Sequence, residues 1–125
     1  MITEDYVSFE TAKLLKEKGF KGEGEHFYEN NKIVHYINYW DRITPKQRYE
    51  AIEAPTIQMA MKWLRKNHQI FIRPNTSFLY PIKWYSEIFC YGDNLKTQQD
   101  IKTEYYDSPE ESCEAAIKYC LEHLI

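Results

Sequence analysis

His26 and His35 are the residues whose spacing best suits a metal site. Between them, aromatic and β-branched residues flank Asn30-Asn31, a pair that tolerates positive φ, so the stretch predicts a hairpin with a two-residue turn. That register places His26 opposite His35, where cross-strand Cβ atoms lie roughly 4.5–5.5 Å apart. A metal site needs three or four ligands, and no third ligand is evident nearby. The alternative interpretation is therefore a pair of half-exposed hairpin histidines.

Nucleophilic catalysis requires an activated cysteine or serine beside a base. The three cysteines, Cys90, Cys113 and Cys120, lie in apolar runs, which is typical of inert buried thiols. Cys113 and Cys120 are seven residues apart on a predicted helix; a rise of roughly 10.5 Å is too long for a disulfide. The pattern predicts reduced thiols and a cytosolic protein. Glu87 alternates with aromatic residues in a predicted strand, and one carboxylate does not define a catalytic site.

Basic side chains are concentrated in the middle of the chain. Residues 44–75 contain six bases and two acids, whereas residues 100–125 contain seven acids and two bases. Such a split can mark a binding patch, or two solvated faces that pair within the fold or between two copies. The net charge of −3 disfavours nucleic acid. The candidate surface for weak nucleic-acid binding is the stretch 62–73, with Lys62, Arg65, Lys66 and Arg73.

The predicted order of elements from residue 55 onward is a second argument for nucleic-acid binding. Helix, three strands, helix is also the order of a double-stranded RNA-binding domain, in which lysines at the start of the last helix contact phosphates. Here those positions carry Glu110, Glu111 and Glu114, whose charge would repel the phosphate backbone.

Met59 and Trp63 form a second candidate surface, this time for protein. On a helical wheel that starts at Ile57, Met59 falls near about 200° and Trp63 near about 240°, one turn apart. A helix that is apolar on two sides is normally covered on both. The cover is either the segment 40–52 of the same chain or a partner that uses Trp63, rimmed by Lys62 and Lys66, as an anchor.

The helix that carries these residues is the central element of the prediction. Pro55 suits the first helical position, and Asn67 and His68 are expected to end the helix. Its core stripe has the spacing i, i+3, i+4, i+7 and consists of Ile57, Ala60, Met61 and Leu64. Residues 70–72 are too few for a helix and predict a strand that Pro74 closes.

The remaining elements follow from caps and turns. Ser8 is the expected N-cap of a first helix that Gly19 ends in a left-handed conformation. Thr44 marks a short helix start, and strands are predicted over residues 83–91 and 101–105. Ser108 caps the last helix, with Pro109 in its first turn and Glu111 completing a capping box. The apolar face of that helix consists of Cys113, Ala116, Ile117, Cys120, Leu121 and Leu124.

This order predicts an α+β fold in which an antiparallel sheet of about three to five strands carries about three helices, as a two-layer single domain over residues 1–125. The aromatic content, 11 Tyr, 6 Phe and 3 Trp, either fills a thin core or forms a binding surface. The acidic start of the chain predicts no signal peptide, and no apolar stretch approaches the length of a membrane span. We therefore expect a cytoplasmic location.

Three segments resemble a family of small uncharacterised proteins encoded in gut Bacteroidales genomes and their prophages. They are the run from Ala54-Pro55-Thr56 through Lys62-Trp63-Leu64-Arg65-Lys66 to Ile70-Phe71-Ile72, the ending 106–117, and the opening 6–15. Together they cover about half the chain. The resemblance implies a phage-associated setting and no functional residues.

The resulting functional hypothesis is a phage- or prophage-associated accessory protein that binds a protein partner or a second copy of itself. The alternative is a weak nucleic-acid-binding protein that uses residues 62–73, and the third hypothesis is a small enzyme of unknown reaction. No cofactor and no catalytic residue is predicted.

Overall fold

The computed structural model of the chain describes residues 5–22, 26–29, 32–35, 51–77, 80–91 and 98–125. The helices in these ranges are α1 (Phe9–Glu17), α2 (Ile57–His68) and α3 (Pro109–His123). The strands are β1 (His26–Glu29), β2 (Lys32–His35), β3 (Ile52–Glu53), β4 (Ile70–Thr76), β5 (Trp84–Tyr91) and β6 (Gln98–Lys102).

The strands form two small antiparallel sheets, with orders β2-β1-β3 and β4-β5-β6. The α+β fold class is confirmed, and among the described strands the hairpin does not join the larger sheet, a point that the sequence leaves open. It pairs instead with β3, because Phe27 lies opposite Glu53 and Tyr28 opposite Ile52. β3 lies in a stretch for which the sequence predicts no strand.

The core lies between the β4-β5-β6 sheet and the helices. α2 packs against β4, and α3 packs against β4, β5, α1 and α2. The predicted helix faces are confirmed. Fully buried side chains come from α2, β5 and α3, and they include Ala60, Leu64, Ile88, Ala116, Ile117 and Cys120.

The predicted helix ends are confirmed with one correction. The hydroxyls of Ser8 and Ser108 accept hydrogen bonds from the third amide of their helices. Pro55, however, is not the first residue of α2. Thr56 is the N-cap, with its Oγ1 accepting from the Met59 amide at 3.1 Å. The Pro55 carbonyl accepts from the Val7 amide instead, so the proline belongs to an extended pairing with the N-terminal segment.

The hairpin register is the one predicted from the sequence. The pairs are His26 with His35, Phe27 with Val34, Tyr28 with Ile33, and Glu29 with Lys32. The turn Asn30-Asn31 lies outside the described residues, as do Thr44 and most of the segment 40–52.

Two strand boundaries differ from the prediction. β4 continues through Pro74 to Thr76, because β4 is an outer strand of its sheet and an outer strand tolerates the missing amide. β6 covers residues 98–102 and not 101–105. Glu87 pairs with Lys102, but Trp84 pairs with Tyr106, so the chain after β6 holds one extra residue. This β-bulge ends the regular strand early.

Candidate binding surface

The basic residues predicted for nucleic acid do not form one patch. Lys62, Arg65 and Lys66 are exposed on α2. Arg73 lies on β4, and its guanidinium is 3.1 Å from the Glu87 carboxylate. Arg73 is thus paired within the fold, which leaves three exposed cations on the helix.

Trp63 and Met59 are half-buried in the fold. The Trp63 ring packs edge-on against Phe20 with centroids 5.7 Å apart, and against His68 at 4.9 Å. Phe20 follows Gly19, whose φ of 93° turns the chain back over the helices. Within the described residues, therefore, the cover on Trp63 comes from the end of α1, which the sequence did not indicate.

The histidine pair has the predicted register, with His26 opposite His35. The His26 ring packs against Tyr6 with centroids 5.3 Å apart. Within the described ranges, no three His, Cys, Asp or Glu side chains come together as possible ligands of a metal ion.

Hydroxyl and thiol groups meet between β5 and α3. Ser86 Oγ lies 2.9 Å from Ser112 Oγ and 3.7 Å from Cys113 Sγ, and all three side chains are buried. Burial raises the pKa of the Cys113 thiol. A protonated thiol shielded from solvent is not an activated nucleophile, so this cluster links the sheet to the helix.

The outer face of the β4-β5-β6 sheet carries a surface that sequence reasoning missed. In β5, Ser86, Ile88 and Cys90 are buried on the helix side. Because side chains alternate along a strand, Tyr85, Glu87 and Phe89 lie on the opposite side. The strand register places three β4 residues beside them on the same side, namely Phe71, Arg73 and Asn75. We call these six residues the outer face.

The outer face combines aromatic rings with the Arg73–Glu87 ion pair. Phe71 is 45% exposed and lies opposite Phe89. The Arg73 guanidinium lies over the Phe89 ring at 5.4 Å from its centroid. Tyr85 packs edge-on against Tyr105, with centroids 5.4 Å apart. Rings of this kind beside an arginine are the composition that is enriched at protein interfaces.

Glu87 is the charged centre of this face and is only 7% exposed. Its Oε1 accepts hydrogen bonds from Asn75 Nδ2 at 3.0 Å and from an Arg73 amino group at 3.1 Å. Lys102 lies opposite it on β6. These hydrogen bonds, first from Asn75 and then from Arg73, hold the pKa of the Glu87 carboxyl below its ordinary value.

The strand alternation is a signal that could have identified the outer face. Tyr85, Glu87 and Phe89 alternate in the sequence, as do Phe71 and Arg73. The sequence does not indicate on which side of the sheet the helices pack. Without that information, the aromatic positions are as compatible with the core as with a surface.

A cleft lies at the other side of the sheet, where the bulged segment after β6 meets α3. It has a volume of about 420 Å³. Its lining consists of Ile88, Ile101, Lys102, Thr103, Glu104, Tyr105, Tyr106, Ala115 and Tyr119. Nothing in the sequence marks this cleft, because its opening depends on the bulge.

Comparisons with protein-family models, with curated proteins and with solved structures each return no match to this chain. Of the helices in the described part of the chain, none has both the length and the apolar character that crossing a membrane requires.

Proposed function

We propose that this chain is a protein-binding module, an accessory protein of a phage or prophage, that docks a partner protein on the outer face. The observation that carries the proposal is the set of aromatic side chains around the Arg73–Glu87 pair, on the side of the sheet opposite the helices. The phage setting is supported by the sequence resemblance alone.

The charge of the outer face favours protein over nucleic acid as the partner. Arg73 is neutralised by Glu87 at 3.1 Å, so the face presents rings with little excess positive charge. Phosphate binding depends on such an excess. A protein partner gains instead from burying exposed aromatic area, and the Phe71 side chain on this face is 45% exposed.

The test compares three baits in lysate from a phage-carrying gut Bacteroidales host. Wild type and the variants Phe71→Ser and Tyr80→Ser are used at equal concentration. Tyr80 is 95% exposed and lies outside the outer face, so it is the matched control for loss of an aromatic ring. We expect a protein that wild type and Tyr80→Ser capture and that Phe71→Ser does not.

The captured protein is then purified, and its affinity for each variant is measured. Loss of one anchor ring at an interface corresponds to about a tenfold or greater weakening. Equal affinity for wild type and Phe71→Ser would contradict the outer face as the docking site. Thermal unfolding of both variants checks that the fold is intact, and sedimentation shows whether the partner is a second copy.

The second candidate function is weak nucleic-acid binding through Lys62, Arg65 and Lys66. It is favoured by the observed order α2-β4-β5-β6-α3, with α2 and α3 packed against the same sheet. It is opposed by the exposed Glu110 and Glu111 at the start of α3. We expect no binding to duplex RNA or DNA at physiological salt. Binding that falls steeply with salt and is lost when the three cations are reversed would favour this candidate.

A further inference from the structure

The cleft between the bulged segment and α3 has an apolar floor and aromatic sides. Ile88 is fully buried at its base, and Ile101 and Ala115 are half-buried beside it. Tyr105 is 60% exposed and Tyr119 is 37% exposed. Its volume of about 420 Å³ lies within the usual range for a ligand site.

The shape of the cleft is fixed by hydrogen bonds at the bulge. The Ser86 amide donates to Thr103 Oγ1 at 2.8 Å, and that hydroxyl donates to the Glu104 carbonyl at 2.9 Å. The Thr103 amide donates to the Ser86 carbonyl at 2.9 Å. The extra residue is therefore held in place by the threonine side chain, and the pairing of Trp84 with Tyr106 resumes beyond it.

The rim of the cleft is acidic. Glu104 lines it and is exposed. On α3, Glu111 lies one turn before Ala115 and Glu122 lies one turn after Tyr119, and both glutamates are exposed. Lys102 is the cation of the lining, but it lies directly opposite Glu87 in the strand register, so its charge is close to that carboxylate. Glu122 also interacts with the neighbouring Lys118 ammonium, so Glu104 and Glu111 are the carboxylates that remain to attract a cation.

The edge of the sheet beside the cleft is strand β6. In the order β4-β5-β6, β6 pairs with β5 on one side, and within the described part of the chain no strand pairs with its other side. An extended peptide can add to such an edge while one of its side chains enters an adjoining pocket.

We propose that this cleft binds a basic side chain, arginine or lysine, carried by an extended segment of a partner protein laid along β6. The aliphatic stem of that side chain packs on Ile101 and Ala115, as long basic side chains do on apolar surfaces. The charged head lies among the tyrosine rings and faces Glu104, which combines cation–π attraction with an ion pair. This site adjoins the outer face, because Tyr105 packs against Tyr85, but the proposal does not depend on the function proposed for that face.

The test uses the full chain and a defined peptide, so it needs no native partner. The probe is acetyl-Val-Thr-Arg-Thr-Val-amide, and its control carries citrulline, which has the shape of arginine without the charge. Amide chemical shifts of the isotope-labelled protein are followed during titration. We expect shifts at Ile101, at residues 103–106, and at Ala115 and Tyr119. The citrulline peptide should bind about tenfold more weakly, because the ion pair and the cation–π contact are both lost.

Two protein variants with the same change in charge locate the site. Glu104→Gln should weaken the arginine peptide about fivefold or more, since it removes the carboxylate at the head of the side chain. Glu110→Gln removes a charge from α3 outside the cleft lining and should leave the affinity unchanged. Equal effects of the two variants would show only a general charge attraction and would overturn the proposal.

Two further peptides test which kind of group occupies the cleft. A norleucine peptide that binds as tightly as the arginine peptide would overturn the proposal in favour of an apolar anchor. Acetyl-arginine-amide, which has no flanking chain, should bind about tenfold more weakly than the pentapeptide, because it cannot pair along β6. Equal affinity would contradict a protein segment as the occupant, and absence of any shift with the pentapeptide would overturn the site itself.

Discussion

Glu87 is the residue of the outer face that depends most on its hydrogen-bond partners. An almost fully buried carboxylate needs partners, because removing it from water is costly. The Asn75 amide and the Arg73 guanidinium supply them from the neighbouring strand. The sequence shows that Glu87 alternates with aromatic residues, but the partners depend on the β4-β5 register. The local pattern does not predict that register, because it ends the strand at Pro74, whereas β4 continues to Thr76.

The pH dependence of stability tests these contacts. Because the pKa of Glu87 is lowered in the folded state, the unfolded chain binds more protons at acid pH. The stabilisation is therefore fully present above the unfolded value of about 4.3 and is lost as the pH falls through the folded pKa. We expect wild type to be more stable than Glu87→Gln at pH 6, and the difference in unfolding free energy to shrink towards pH 3. A difference that stays constant with pH would contradict this account.

The thiols are a second test at the scale of single residues. Cys90, Cys113 and Cys120 form no disulfide and are buried, as predicted. Burial raises the pKa of Cys120 to about 12, and the neighbouring Cys90 contributes a smaller part of this increase. A protonated, shielded thiol reacts slowly with disulfide reagents. We expect no reaction in the folded chain at pH 8 over the time in which the unfolded chain reacts fully, and three reactive thiols after unfolding without reductant.

At the scale of elements, the helices are the best predicted part of the chain. Their caps and apolar stripes are local patterns, and a cap, a proline and a capping-box glutamate, such as Ser108, Pro109 and Glu111, are enough to place a helix start. The hairpin register was equally predictable, because a two-residue turn fixes every pair that follows it. The bulge after β6 was not, because it depends on a long-range contact between Thr103 and Ser86.

The last helix gives a quantitative test at this scale. Ile117 is fully buried, so Ile117→Ala should lower the free energy of unfolding by about 2–5 kcal/mol. Ser108 Oγ accepts from the Glu111 amide at 3.1 Å, and Ser108→Ala should cost about 1 kcal/mol through loss of the cap. Urea unfolding measures both. An unchanged midpoint for Ile117→Ala would contradict the packing of α3 against the sheet.

At the scale of the whole molecule, the N-terminal segment joins the start of α2 to α3. The Val7 amide donates to the Pro55 carbonyl at 3.1 Å, and the Ile57 amide donates to the Asp5 carbonyl at 2.9 Å. On the other side, the amide of Ser8 and the hydroxyl of Thr11 both donate to Glu114 Oε1 on α3, at 2.8 and 2.7 Å. Periodicity does not reveal contacts of such sequence separation, which explains why the sequence leaves open whether the hairpin joins the main sheet.

The acidic start of α3 is part of the same arrangement. Glu114, whose charge is expected to repel phosphates, accepts two hydrogen bonds from the α1 region. Lys118 pairs with Glu10 at 3.0 Å between the same two helices. These contacts join α1 to α3, and none of them pairs the basic stretch 44–75 with the acidic stretch 100–125.

A substitution at Trp63 tests whether the second apolar side of α2 is covered by the same chain or by a partner. Its contacts with Phe20 at 5.7 Å and His68 at 4.9 Å join the end of α1 to the end of α2. We expect Trp63→Ala to lower the free energy of unfolding by about 2 kcal/mol or more, because truncation leaves the Phe20 ring without its neighbour. Urea unfolding measures this loss, with the exposed Tyr80→Ala as the control. If the fold instead keeps its stability while sedimentation shows weaker self-association, Trp63 is an interface anchor, and the docking surface lies on α2 and not on the outer face.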